Sequence, residues 1–310
     1  IVGPFDSQTA VDMLPIVEQD GIATISPTAT LPGLTQSDQA AAEGLTFTQL
    51  HPKGKPNVFF RLPQTDSAAG TVAADLAIAA PSAHGLGAHS IFIVDDGTAS
   101  GKALATAFKQ ELAAKHGAVA GQQSLVTGAQ DNAQAIVSAI VEAAPDAVFF
   151  AGGIAGGADL RATLTLTGVP QLPILTAGPI ANDPSWSGAV GVVPAAAYTT
   201  AILPAPDLST LPSAKSFMTA YQSAYPNQDL LPQSALAYDA AMVEITAIKA
   251  LLTAGKPVTR AAVLAAVASA KYAGLTGAIA FNANGDNTTP LSYSLYTCDI
   301  KGAWHYVIHL

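Results

Sequence analysis

The stretch Ile1-Val2-Gly3-Pro4-Phe5-Asp6-Ser7 reads as an apolar strand running into a turn and then into the start of a helix. Gly3 and Pro4 stop the strand, because proline has no N–H to offer a ladder. Ser7 stands where a helix would begin. A strand this apolar belongs inside a sheet, covered on both faces as parallel strands are. The pattern recurs at Ile22–Ser26, Val58–Leu62, Ser90–Asp95, Ala147–Ala151 and Ile174–Ala177. Between these runs, Lys102–His116 and Asn132–Ala144 carry helical periodicity. Strands alternating with helices of this length make βαβ units, so the fold class is α/β, with parallel sheets flanked by helices. After about Pro204 the pattern changes. Ala214–Tyr225, Gln233–Leu252 and Arg260–Ala268 read as successive helices, and Asn284-Gly285 marks a turn. Leu291–Asp299 and Ala303–His309 alternate like a closing hairpin.

A chain of 310 residues, half of them apolar, is long enough for two lobes with separate cores. Charged residues make up only 11%, which excludes intrinsic disorder. A net charge of −9 without any basic cluster argues against nucleic acid as a partner. The longest apolar stretches, such as Asp146–Ala155, are too short to span a bilayer. Cys298 is the single cysteine, so no intramolecular disulfide can form. No basic segment and apolar core precede Ile1, and a targeting segment removed upstream is compatible with that start.

Catalytic and metal chemistry finds no footing. Gly97-Thr98-Ala99-Ser100-Gly101-Lys102-Ala103 is one residue short of a phosphate loop, and Ala103 replaces the hydroxyl that would hold magnesium. An ordinary strand-to-helix turn is the better reading. His84 with His89, and His305 with His309, lack the Cys or carboxylate spacing of a metal site. Asn282, Asn284 and Asp286 lack the glycine position and closing glutamate of a calcium loop. No enzyme activity, cofactor or metal is expected.

A set of strand-end signatures remains. Ile1–Ser7 is followed by Gly21-Ile22-Ala23-Thr24-Ile25-Ser26-Pro27-Thr28-Ala29-Thr30, by Phe59-Phe60-Arg61-Leu62, and by Ala144-Pro145-Asp146-Ala147-Val148-Phe149-Phe150-Ala151-Gly152-Gly153. Ala235-Leu236-Ala237-Tyr238-Asp239-Ala240 and Leu275-Thr276-Gly277 come next, before Phe281-Asn282 and Gly285-Asp286. In this order and spacing the chain resembles the periplasmic binding proteins of the branched-chain amino-acid (leucine/isoleucine/valine) family of ABC transporters. The resemblance implies the type I fold of that family: two Rossmann-like lobes joined by three crossovers and closing over a small ligand. It puts lobe I at 1–62 and 203–293 and lobe II at 63–202 and 294–310. The crossovers are expected near Leu62–Thr65, Thr200–Leu203 and Ser292–Leu295. In the family the Val-Gly-Pro strand is the third of its lobe. On that comparison lobe I is incomplete here, lacking two βα units and leaving Ile1–Gly3 as an open apolar edge able to pair with another strand.

The resemblance also implies a site. Ser7 and the Thr28-Ala29-Thr30 segment match the positions that hold a ligand carboxylate in lobe I, where hydroxyls and amides at helix starts favour anions. On sequence alone Ser7 and Thr30 read as helix N-caps; with the family pattern, ligand binding is the expectation. In lobe II the family's carboxylate for an amino-acid ammonium falls at Gly178, its tyrosine at Ser100, and its aromatic at Ile154 or Ala155. Asp183 could restore the carboxylate and Trp186 could fill the space. Arg61, one residue before the first expected crossover, is expected to brace the hinge through an ion pair rather than to touch ligand, and Tyr238-Asp239 to serve helix packing. The function implied is capture of an amino acid or related small carboxylate or amide, periplasmic or extracellular, for an ABC permease. The chain would meet the membrane only through the permease or a lipid anchor upstream. The alternative is a ligand-sensing module without transport.

Overall fold

The computed structural model describes residues 1–126, 128, 132–191, 193–289 and 292–310; Leu291, in the predicted closing hairpin, lies outside them. Its strands in chain order are β1 (Thr24–Ser26), β2 (Phe59–Arg61), β3 (Ser90–Asp95), β4 (Ala118–Ser124), β5 (Ala147–Ala151), β6 (Ile174–Ala177), β7 (Thr199–Leu203), β8 (Lys271–Ala273), β9 (Ala278–Ala280), β10 (Ser294–Cys298) and β11 (Trp304–His309). The chain forms two units, one of Ile1–Thr65 with Ala205–Ser292, the other of Asp66–Pro204 with Tyr293–Leu310. Thr200–Leu203, expected as a crossover, lies within β7 of the second unit, and the chain changes unit after it.

In the first unit β1 and β2 pair in parallel, Thr24 opposite Phe59. Ile1–Gly3 makes a single bridge, Val2 to Ile25, instead of a full strand. Gly3 N donates to Ile25 O and Ile25 N to Ile1 O, both at 2.9 Å. The pairing ends there because Gly3 turns at φ 130° and Pro4 has no N–H. The helix Ser7–Asp20 follows, burying Ala10, Leu14 and Val17 at the i, i+4, i+7 spacing of one face. Gly21, at φ 64°, closes it in a left-handed cap.

Arg61 is fully buried, and its charge is met inside the same unit. Nε donates to Asp286 Oδ1 at 2.6 Å, Nη1 to Leu31 O at 2.7 Å, and Nη2 to Thr35 Oγ1. The ion pair ties the Leu31–Thr35 turn to the Asn282–Asp286 turn. In the latter, Asn282 Oδ1 accepts from the amides of Asn284 and Asp286 at 2.9 and 3.0 Å. Those oxygens serve the turn and the ion pair. Asp239, on the helix Pro232–Thr253, does more than pack. Its buried carboxylate accepts from Leu275 N, Thr276 N and Thr276 Oγ1 at 2.8, 2.8 and 2.6 Å, anchoring the loop between β8 and β9.

The second unit holds a seven-stranded sheet in the order β11-β10-β7-β6-β5-β3-β4. The parallel sheet read from the sequence is a mixed one. β3 to β7 are parallel, but β10 runs antiparallel to both β7 and β11. The turn between β10 and β11 is short, and only antiparallel strands can be joined that way. Alternate residues of the central strands feed two cores: Ile91, Ile93 and Phe149 on one face, Phe92, Val94, Val148 and Phe150 on the other. Phe108 stacks on Phe149 with ring centroids 3.7 Å apart. Gly70 lets the helix Asp66–Ile78 close on the helix Ala99–Ala114, since a Cβ there would lie 2.7 Å from Phe108 N. Arg161, buried on the helix Ile154–Leu166, donates to the carbonyls of Pro170, Leu172 and Tyr198 at 3.2, 2.8 and 2.6 Å. No carboxylate pairs with it among the described residues, and burial pulls the guanidinium down to about 10.

Candidate functional site

The first unit brings Ser7, Thr28, Ala29 and Thr30 together. Ser7 is the first residue of its helix and not the cap; Asp6 caps instead, its Oδ1 and Oδ2 accepting from Thr9 N and Thr9 Oγ1 at 2.7 Å each. Burial opposes the charge on Asp6, but the Thr9 and Gln8 donors outweigh it and hold the carboxyl below its ordinary range. Ser7 Oγ reaches across to accept from Thr30 N and Leu31 N, both at 3.1 Å. Ser26 Oγ donates to Pro4 O at 2.7 Å and accepts from Ala29 N and Thr28 N at 2.9 and 3.3 Å. Thr28 Oγ1 donates to Phe5 O. The amides expected to face an anion are thus engaged within the protein. Ser26 satisfies the donors of the turn that follows it, and Ser7, brought from a distant segment, satisfies the next two, which would otherwise be orphaned. What the cluster offers a ligand is the Ser7 hydroxyl, whose oxygen accepts twice and whose proton has no acceptor among the described residues, and the half-buried Thr30.

In the second unit, Ser100, Ile154 and Gly178 follow the carboxyl ends of β3, β5 and β6, which are neighbours in the sheet. That is the edge at which ligands bind open α/β sheets. Ser100 lies in the first turn of the helix Ala99–Ala114, and its buried hydroxyl has no partner among the described residues. Ile154 opens its helix, but its side chain packs against the core. Gly178 has φ 103° with open space at its Cβ position, its N donating to Ile202 O at 2.9 Å. Asp183 does not supply the missing carboxylate freely. Its Oδ1 accepts from Ser185 N and Oγ at 2.8 and 2.6 Å, and its carbonyl accepts from the Trp304 indole at 2.9 Å. Trp186 is fully buried in the core and lines no open space.

The sequence reading passed over Asp96. Its Oδ1 accepts from Thr98 N and Oγ1 at 3.1 and 2.6 Å, and its Oδ2 from Gly153 N at 3.0 Å. The signal was present in Asp95-Asp96 at a strand end before Gly97-Thr98, a pattern that caps turns.

A family model described as periplasmic binding protein matches residues 1–303. This chain belongs to the periplasmic binding protein family. Its fold matches the type I structures of that family. One is the branched-chain amino acid transporter substrate binding protein from Streptococcus pneumoniae in complex with isoleucine. At 20% identity it aligns with 99% of this chain and 78% of that one, with a TM-score of 0.78. A leucine binding protein from Thermotoga maritima is 21% identical over 100% of this chain and 79% of that one, with a TM-score of 0.77. An ABC transporter solute binding protein from R. palustris, in complex with benzoate, is 21% identical over 99% and 76%, with a TM-score of 0.72. No curated protein sequence matches. Among the described residues of this periplasmic binding protein no helix is long and apolar enough to cross a membrane, and no three metal-ligating side chains gather.

Proposed function

We propose that this periplasmic binding protein captures a small organic acid or amino acid outside the cytoplasm and hands it to an ABC permease. The observation that carries the reading is the Ser7 hydroxyl, oriented by the Thr30 and Leu31 amides at 3.1 Å and placed at the start of a helix. A hydroxyl held that way donates to a carboxylate in a positive helix field. Solved relatives bound to isoleucine and to benzoate support an acid with an apolar body. In the second unit we assign Ser100, Ile154 and Gly178, after the carboxyl ends of β3, β5 and β6, to ligand contact, with Asp183 as turn support. Delivery to a permease, an upstream lipid anchor, and binding without turnover are parts of the same reading. No specific observation favours the sensor alternative.

Thermal unfolding against a panel of leucine, isovalerate, benzoate and neutral amides tests it. Ligand at a hundred times its dissociation constant stabilises by about 2.7 kcal/mol. Stabilisation by acids that falls at least about tenfold in affinity in Ser7→Ala supports the assignment, a charge-assisted hydrogen bond being worth roughly 1.5–3 kcal/mol. Binding unchanged in Ser7→Ala would remove Ser7 from the site.

A further inference from the structure

The first unit holds a small cavity at the end away from Ser7. Its volume is about 230 Å³, and Glu18, Thr35, Phe47, His51, Lys53 and Lys55 are among the residues that line it. Ser7 opens the helix that Glu18 helps to close, and at about 1.5 Å per residue the two stand roughly 16 Å apart along it. The cavity is therefore separate from the cluster at Ser7. Its floor is fixed by buried polar contacts. Glu18 is 1% exposed, and its Oε1 lies 2.9 Å from His51 Nδ1 and accepts from Val58 N at 3.4 Å. His51 Nε2 donates to Leu34 O at 2.7 Å, and the imidazole rests against Phe47 with ring centroids 4.6 Å apart. The rim is a turn. Lys55 N donates to Pro52 O at 3.1 Å, and Gly54, at φ 82°, takes the corner that glycine fills without strain. Lys53 and Lys55 thus stand on either side of one glycine, both exposed. No carboxylate pairs with either lysine among the described residues, and the carboxylate that lines the cavity, Glu18, is engaged by His51.

We propose that this cavity is a second binding site and that it takes a small organic phosphate. A phosphomonoester carries nearly two negative charges on one compact head. That matches two ammoniums set two residues apart, lysine binding phosphate as a point charge. The chain as a whole is acidic, at −9, so an anion is held here by the local charge and not by the field of the molecule. Phe47 and Pro52 supply an apolar wall for the rest of the ligand, and Asn284 lines the cavity with a side-chain amide. A dicarboxylate spreads its two charges over two ends and meets the paired lysines less well. The site does not depend on the capture of an acid at Ser7.

The full chain is titrated with inorganic phosphate, phenyl phosphate and succinate while its backbone amide NMR shifts are followed. Phenyl phosphate is expected to move the amides of Gly54 and Asn284. It should bind at least about tenfold more tightly than inorganic phosphate, because its ring is buried against the apolar wall. With Lys53→Ala and Lys55→Ala combined, phenyl phosphate affinity falls at least about tenfold through loss of the charge-assisted contacts. Both lysines are exposed on a turn, so this variant keeps its fold. In Ser7→Ala the same affinity changes less than about threefold, as expected of independent sites. Phenyl phosphate binding that is unchanged without the two lysines overturns the proposal. So does succinate binding as tightly as phenyl phosphate, or inorganic phosphate doing so. Shifts centred on Ser7 and Thr30, lost in Ser7→Ala, would assign the anion to the capture cluster and overturn the second site. No shift around Gly54 with any probe overturns it as well, and leaves the reading of Ser7 standing.

Discussion

At the residue scale, Gly178 shows how a backbone angle overrules an alignment. On sequence grounds, replacing it by the carboxylate its relatives carry looks like a gain for amino-acid binding. With φ at 103°, however, any side chain other than glycine is strained, although space for a Cβ exists. Gly178→Glu is therefore expected to lower stability by about 2 kcal/mol, as strained φ values do, and to leave leucine affinity no better. A tighter leucine isotherm with an unchanged denaturation midpoint would contradict this. Arg161 makes the opposite point, since nothing in Ala158-Asp159-Leu160-Arg161 distinguishes it from a surface charge. It is buried because three carbonyls converge on it, two from the loop before β6 and one from Tyr198. Arg161→Met strands those carbonyls, each unmade hydrogen bond costing about 1–3 kcal/mol. A loss of about 3 kcal/mol in urea unfolding is expected.

The elements were legible where periodicity was strong. Ser90–Asp95, Ala147–Ala151, Ile174–Ala177 and Arg260–Ala268 have the bounds read from the sequence. β4 was not legible, because Ala118–Ser124 is half-exposed and rich in Gly and Gln, with little apolar pattern to read. The first strand shrank to a bridge for the backbone reason given by Gly3 and Pro4. The β10–β11 hairpin adds a pH prediction. His305 Nε2 lies 2.9 Å from Asp299 Oδ2, and the amides of Ala303 and Lys301 also point at this carboxylate. His305 foremost, then these amides, hold Asp299 down to about 2, from an ordinary value of 3.8. The folded value is below the unfolded one, so the hairpin's stabilisation is present above pH 3.8 and is lost as the pH falls toward 2. A carboxyl NMR titration should show Asp299 moving back toward its ordinary value in His305→Ala; an unchanged titration would exclude the contact.

For the whole molecule, Ile1–Gly3 shows how little of an apolar run survives as strand: Ile1 O and Gly3 N are used by Ile25, and the pairing goes no further. The alternation of apolar runs with helical segments, together with the ordered strand-end motifs, already determined the α/β class and the family, because those patterns are local in the chain. Tertiary structure alone decided which groups are free to act. Ser7 meets Thr30 from 23 positions away, Asp96 meets Gly153 from 57, and Arg61 meets Asp286 from 225. A hydroxyl or carboxylate has the same letter whether it faces solvent, a backbone amide or a ligand. Only the folding of distant segments together assigns its partners.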